Sequence, residues 1–440
     1  MAILLPGRVY EPINELLTLI DYRTRLSQYH LDHDLRYLHQ QYPFITVWDD
    51  HETANNSWYG GAQNHTPGVE GDWFDRKGSA IQAYFEWLPI RYPDPNDSER
   101  IYRKFNFGDL LDLYMLDTRL IGRDLQVGTT SPLLTDSSRS LLGAQQYSWL
   151  VNNMDSSTAQ WQVLGQQVMM APLKSSGTIV NDDQWDGYPI ERQILINDLL
   201  NKSVNNIVVL TGDIHTSWGN DLPFNPGIPY NPSTGAGSVG VEFVTTSITS
   251  PGLPVPVPVS LVKFNNPSVK YVDLIQKGYL ILDIDKTRTQ ADWYYVPTVT
   301  QVQYVDAYAE SWYVNDLDGY LKGTTTPSPS PSTLPVQPPL LPKNPVVGLN
   351  ETEVNEVVLF GAYPNPFTDL LLVNYFVYNE SEVKISLIDI TGKTVISKNP
   401  RTLKKGLYDE NIHTGPLSSG SYILLIETPS QVLKRKIVKN

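Results

Sequence analysis

The 440-residue chain is 41% hydrophobic and 11% aromatic, which is ample for packed cores in two or three domains. It has no cysteine, which excludes disulfide staples and thiolate metal ligands, and its net charge of −14 argues against a duplex nucleic acid partner. No apolar run is long enough to span a membrane, and Pro6, Arg8, Glu11, Pro12 and Glu15 break up the first twenty residues before a signal-peptide core could form.

In chain order, helical periodicity at Ile13, Leu16, Leu17 and Ile20 predicts a first helix, followed by a second, polar one and then by a strand over Phe44-Ile45-Thr46-Val47-Trp48. Further strands are predicted at Leu110 to Leu116, within Trp161 to Met170, and at Asn206 to Thr211. Helices alternating with fully apolar strands imply a layered α/β domain over residues 1–323. The Pro/Ser/Thr-rich stretch 324–349 favours extended polyproline geometry and reads as a semi-rigid linker. Beyond it, residues 350–440 alternate apolar and polar positions at Val383 to Leu387, turn at Thr391-Gly392, and supply short strands at Ser421 to Glu427 and Val432 to Val438. This pattern predicts a small C-terminal β-sandwich. Residues Asn350 to Asn440 hold ten Lys/Arg and ten Asp/Glu, so the acidic excess lies in the first three-quarters of the chain.

Two predicted strands run into polar, ligand-type residues: ITVW into Asp49, Asp50, His51 and Glu52, and VVLT into Gly212, Asp213, Ile214 and His215. The carboxyl ends of strands in an open α/β sheet are where sites are built. Two such ends, each with a carboxylate and an imidazole, suit a binuclear site, where hard ligands converge on cations about 3.5–4 Å apart. Gly212 is expected to provide the tight turn that lets Asp213 and His215 face one cleft. A lone strand-terminal Asp is an ordinary helix cap and a lone His an ordinary structural group. Two Asp/His clusters in a chain with only seven His outweigh that reading.

The stretches GRVYEPINELLTLIDYRTRLSQYHLDHDLRYLHQQYPFITVWDDHETANN, FGDLLDLYMLDTRLIGRD, GQQVMMAPL, WDGYPIERQILINDLL, LTGDIHTSW and VEFVTTSITSPG resemble the alkaline phosphatase D (PhoD-like) branch of the metallophosphoesterases. The resemblance implies a metallophosphoesterase-like layered domain that hydrolyses phosphomonoesters, and more widely phosphodiesters, with iron and calcium as cofactors and phosphate acquisition as the role. It makes Asp50 a metal ligand and His51 the group that contacts phosphate and protonates the leaving alkoxide. Asn56, beside Asn55, becomes an amide ligand for a hard cation; Asp213 and His215 form the second ligand cluster, and Asp186 in WDGY is a further ligand. The Gly108 to Asp112 stretch spells G-D-x-x-D, but it follows the DDHE segment and lies in a strand-like run, so it is assigned to structure. Asp117 and Arg119 in LDTR match the family and fit a structural ion pair as well as a substrate contact, so they are left out of the site. The family's upstream Asp or Cys ligand and its Gly-Asp-x-x-Tyr motif have no counterpart before Trp48. The metal domain is therefore expected to be incomplete at its N-terminus, a fragment of a longer product, and a poor hydrolase on its own. The alternative is a catalytically inactive surface protein acting as a binding or structural module.

The segments AYPNPFTDLLLVNYFV, LIDITGKTVI, LSSGSYILLIE and VLKRKIVKN resemble the type A sorting domain of the type IX secretion system. That resemblance implies the secretion machinery as a partner, export across an outer membrane, and release or attachment at the cell surface.

Overall fold

The computed structural model describes residues 10–252, 257–300, 305–330 and 357–440. The chain divides into two compact units, residues 1–338 and 339–440. Most of the predicted linker, from residue 331 on, lies outside the described residues.

The first unit opens with helices α1 (Leu19–Tyr29) and α2 (His33–Gln41). The predicted first helix starts later than its periodicity suggested. Thr18 is extended, its amide donates to the Asp21 carboxylate at 2.8 Å, and Ile13 is left exposed. The predicted strand over Phe44 to Trp48 is also corrected, because this segment has no ladder partner among the described residues. Side chains hold it instead: Arg103 donates to the Thr46 carbonyl and Gln167 to the Trp48 carbonyl, each at 2.7 Å. Its apolar character serves Trp48, which packs with Ala54, Trp73, Ile81 and Phe85.

The remaining elements of this unit are α3 (Trp73–Trp87), β1 (Arg103–Phe107), β2 (Leu111–Met115), α4 (Gly143–Asp155), β3 (Trp161–Gly165), the short hairpin β4 (Lys174–Ser175) and β5 (Thr178–Ile179), α5 (Pro189–Asn201), β6 (Ile207–Thr211), β7 (Ser217–Asp221), β8 (Gly240–Val244), α6 (Val259–Asn265) and β9 (Val269–Asp273). Seven strands form one sheet in the order β1-β2-β3-β6-β8-β7-β9. Its centre, β2-β3-β6-β8, is parallel and aligns Leu113, Val163, Val208 and Val241. A second, antiparallel sheet follows from β10 (Lys277–Ile284), β11 (Arg288–Val296), β12 (Ala307–Asn315) and β13 (Lys322–Thr324).

Why the central strands read as continuous apolar runs is then clear. Tyr114, Leu164 and Val209 face α4 and α5 through Leu150, Leu195 and Leu199, while Trp161, Val163, Val208 and Val241 face the second sheet through Ala291, Trp293 and Val314. With both faces covered there is no regular polar alternation, and the polar residues within these strands, Asp112, Gln162 and Glu242, are themselves buried. Each large side chain so buried contributes roughly 1.5–3 kcal/mol. The four parallel strands end on one edge, where the chain continues into Asp117 and Arg119, Gln166 and Gln167, Gly212 to His215, and Thr245 and Thr246. No helix among the described residues is long and apolar enough to cross a membrane.

The second unit contains β14 (Val357–Tyr363), β15 (Leu370–Val377), β16 (Ser381–Asp389), β17 (Thr394–Ser397), β18 (Arg401–Leu403), β19 (Gly406–His413), β20 (Gly420–Glu427) and β21 (Val432–Lys439). One sheet runs β14-β15-β19 and the other β17-β16-β20-β21, with β18 also paired to β16. Alternate residues Leu371, Val373, Tyr375 and Val377 share a buried core with Ile385, Leu387, Leu424 and Ile426, as a β-sandwich requires. Gly392, at φ 87°, makes the β16–β17 turn, and the Asp389 carboxylate accepts from the Thr391 and Lys393 amides across it.

Candidate active site

At the carboxyl edge of the parallel strands, Asp49, Asp50 and Asp213 each offer a carboxylate oxygen, and the three oxygens lie within 4.8 Å of one another. Asp50 is placed by its own loop: its two oxygens accept from the His51 and Asn56 amides, each at 2.7 Å. Asp213 follows β6 directly. The tight turn there is made differently from the expectation, because the left-handed residues are Asp213 (φ 63°) and His215 (φ 59°), not Gly212. Asn56 (φ 49°) is left-handed too. Non-glycine residues in that region cost energy and persist where surrounding contacts hold them. Here the His215 carbonyl accepts from Lys277 Nζ at 2.7 Å and from the Thr246 hydroxyl at 3.0 Å.

Arg119 lies at the centre of this group, not outside it. Its guanidinium is fully buried and donates to Asp49 and Asp213 at 2.6 Å and to Asp183 at 2.8 Å. The predicted Asp117–Arg119 ion pair does not form: the Asp117 carboxylate accepts from the Arg119 and Leu120 backbone amides instead. Asp183 also receives Arg123 and Gln126, both at 2.5 Å. Gln167 ties the layers together by donating to the Trp48 and Leu116 carbonyls and accepting from Thr118. Arg119 was left out of the site, and Asp183 and Gln167 were not singled out, although LDTR and GQQ lie at the ends of predicted strands, the position at which sites form.

The electrostatics follow from this burial. Burial works against the charge on Arg119, but Asp49, Asp183 and Asp213 more than offset it and hold the guanidinium protonated. Burial raises Asp49 and Asp213 above the usual carboxylate range, with Arg119 opposing and the neighbouring acids adding to the effect. Asp183 is also penalised by burial, yet Arg119 and Arg123 pull it below that range. His215 is lowered, first by burial and then by Lys277 and His51, with the Pro251 carbonyl, 3.0 Å from Nδ1, opposing.

The sequence-predicted residues thus separate. Asp50 and Asp213 come together with Asp49, while His215 and Asn56 border them on the same two turns. His51 is largely exposed, with Nε2 3.9 Å from Asp50. Asp186 is not part of the group. It is buried and engaged by Arg192 at 2.9 Å, the Leu173 amide and Gln184. Asp109 and Asp112 of the G-D-x-x-D stretch lie in other contacts, with Lys286 and Lys104.

Glu52 is pushed up to about 7 from 4.5, first by burial and then by Asp49 and Asp50, although its side chain still reaches solvent. Since the folded state keeps this proton longer than the unfolded one, Glu52 costs stability as pH rises from 4.5 through about 7. Glu52→Gln is therefore expected to melt increasingly above the parent across that window and to level off beyond it. The gain should be modest because solvent screens the group. Melting curves at stepped pH test this, and a constant offset would refute it.

Residues 5–293 match the sequence model of the PhoD-like phosphatase family. The chain belongs to the PhoD-like phosphatases. Alkaline phosphatase D of Bacillus subtilis (strain 168) is 36% identical over 301 residues, covering 65% of this chain and 50% of that protein. The chain thus spans about half the length of this curated relative. A solved structure described as the structure of PhoD aligns with a TM-score of 0.66 at 32% identity, over 73% of this chain and 62% of the other. Residues 361–440, within the β-sandwich of this PhoD-like chain, match the secretion system C-terminal sorting domain.

Proposed function

We propose that this PhoD-like chain carries a metal-dependent phosphoester hydrolase site acting on phosphomonoesters, with phosphodiesters as the wider class. The observation that carries the reading is the convergence of three carboxylate oxygens within 4.8 Å at the carboxyl edge of a parallel sheet. Hard oxygen donors in that number suit cations such as calcium or iron, the metals implied by the resemblance. Asp49, Asp50 and Asp213 would hold the cation, with the Asn56 amide and the His215 imidazole on its border. When bound, it supplies charge to neutralise the phosphate oxygens and to activate water.

The chain's own residues do the rest. Arg119 holds Asp49 and Asp213 in place by taking one oxygen of each. The exposed His51 is free to turn towards a bound ester and give a proton to the leaving oxygen. An acidic site would otherwise repel an anionic substrate, which supports the reading that a cation is needed. A second reading, a non-catalytic binding module, draws on Arg119 as a cation already built into the cluster. The sorting domain supports delivery by the type IX machinery to the cell surface or beyond.

The test is to titrate residues 1–440 with calcium and with iron by calorimetry, and to follow p-nitrophenyl phosphate hydrolysis in the loaded protein. Stoichiometric binding and slow, metal-dependent turnover are expected, with His51→Ala binding metal normally but losing about 10²–10⁴ of that rate. Binding without turnover would favour the binding module. No binding would remove the site.

A further inference from the structure

Strand β10 reads KGYLILDI, so a lysine opens a largely apolar strand of the second sheet. Lys277 is only 9% exposed, and it forms no ion pair among the described residues. Asp273, the acid that acts on it through space, is already engaged, accepting from the Ile275 and Gln276 amides and from the Gln276 side chain. A buried ammonium without a counter-ion is costly, and a methionine of similar length would fill the same space at less cost. What the lysine gains is the hydrogen bond from Nζ to the His215 carbonyl, at 2.7 Å.

That carbonyl has few other donors. His215 stands in the left-handed region, at φ 59°, in the turn between β6 and β7, and no backbone amide among the described residues donates to its oxygen. Thr246 Oγ1 lies 3.0 Å from it, but the same hydroxyl lies 2.9 Å from the Gln276 carbonyl. A hydroxyl has one proton and satisfies one carbonyl at a time, whereas an ammonium has three. Lys277 is thus the donor on which the His215 carbonyl depends. The backbone leaves room for it: a Cβ on Gly252 would stand 3.3 Å from Nζ and 2.9 Å from the Leu274 carbonyl. The first half of the turn is held separately, by Arg119 on Asp213 and by the Gly212 amide donating to the Gln167 carbonyl at 3.1 Å.

We infer that Lys277 is a positioning residue for the carboxylate cluster: by fixing the His215 carbonyl, it holds the left-handed turn that sets Asp213 against Asp49 and Asp50. This role rests on the cluster being a cation site. Lys277 acts through the backbone and not through its charge, and the two roles have opposite consequences. A positive charge beside a cation site weakens cation binding, so neutralising a lysine that acted by charge alone would tighten it. Neutralising a lysine that positions the turn loosens it.

The experiment uses the full chain, with calcium chloride as the probe and no phosphate ester. Lys277→Met is expected to melt close to the parent, because losing the hydrogen bond is offset by no longer burying a charge. Its calcium affinity, read by calorimetry, is expected to fall about tenfold or more, as loss of a partner behind a ligand does. Amide hydrogen exchange at residues 213–216 should quicken by about tenfold, the scale of one lost hydrogen bond, while β3 and β6 stay unchanged. Lys277→Arg, which restores a donor, should recover part of both losses. If Lys277→Met does not fold by circular dichroism, Lys277→Gln, one bond too short to reach the carbonyl, decides in its place. Calcium binding that is unchanged or tighter in the folded variant would overturn the role of Lys277. A parent that binds no calcium would remove the cation site itself, and hydrogen exchange then decides: quickening confined to residues 213–216 and reversed by Lys277→Arg sustains the positioning of the turn, and unchanged exchange overturns it.

Discussion

Arg119→Ala is expected to lower the stability of the first unit by about 3–5 kcal/mol at neutral pH, the usual cost of stripping the partner from buried charges. Three carboxylates, from Asp49, Asp183 and Asp213, accept from this one guanidinium and balance their charge against it. Without it they face one another in a buried site. Arg123 would still serve Asp183, so the strain concentrates on Asp49 and Asp213. Both are already raised by burial, and removing Arg119 raises them further. The unfolded chain gives up these protons at lower pH than the folded variant does. The deficit should therefore shrink as pH falls and grow as it rises. Millimolar calcium should restore part of the melting temperature if the cluster takes a cation. Arg119→Lys should recover little, because an ammonium cannot fork to three acids. Thermal melts across pH, with and without calcium, decide the matter; a variant within 1 kcal/mol of the parent at pH 7 would mean the guanidinium is not the cluster's counter-charge.

Asp213→Asn should behave in the opposite way, costing function and sparing the fold. Its amide keeps the shape of the carboxylate and an oxygen for Arg119, and it removes a charge that burial already disfavours. Stability at neutral pH should stay within about 1 kcal/mol of the parent. Cation affinity should drop by about a hundredfold or more, since an anionic ligand is lost where even outer partners typically cost 10–100-fold. Hydrolysis in a metal-loaded assay should fall by about 10²–10³, the scale of losing one electrostatic group at a hydrolytic centre. Calorimetry of cation binding beside melting curves separates the two effects. Unchanged affinity in a folded Asp213→Asn protein would exclude the three-carboxylate cluster as the metal site.

The two variants also mark how far the residues could be read. The DDHE and GDIH clusters were visible because ligand-type residues end apolar runs, and Asp50 and Asp213 do meet. Phe44 to Trp48, however, forms no strand. The segment reaches the sheet edge through Arg103 and Gln167, two side chains that are remote in sequence. Asp186 and Asp183 stand three residues apart in NDDQWDG, and both are buried. Only the direction each takes from the turn at Trp185 to Gly187 sends Asp186 to Arg192 and Asp183 to Arg119.

By itself the sequence determined what local pattern can carry. Apolar runs bounded by loops made the buried strands β3 and β6, alternation made β16 and β20, and the glycine after Thr391 made the β16–β17 turn. Motif order likewise made the family legible, because those residues are contiguous. Tertiary structure alone decided which charge meets which: Arg119 reaches acids 70, 64 and 94 residues away, and no spacing rule links them. Periodicity records which face a residue turns to the core. Pairing among buried charges depends on where separate loops converge over the sheet edge, and there burial makes each unpaired charge costly enough to select one arrangement.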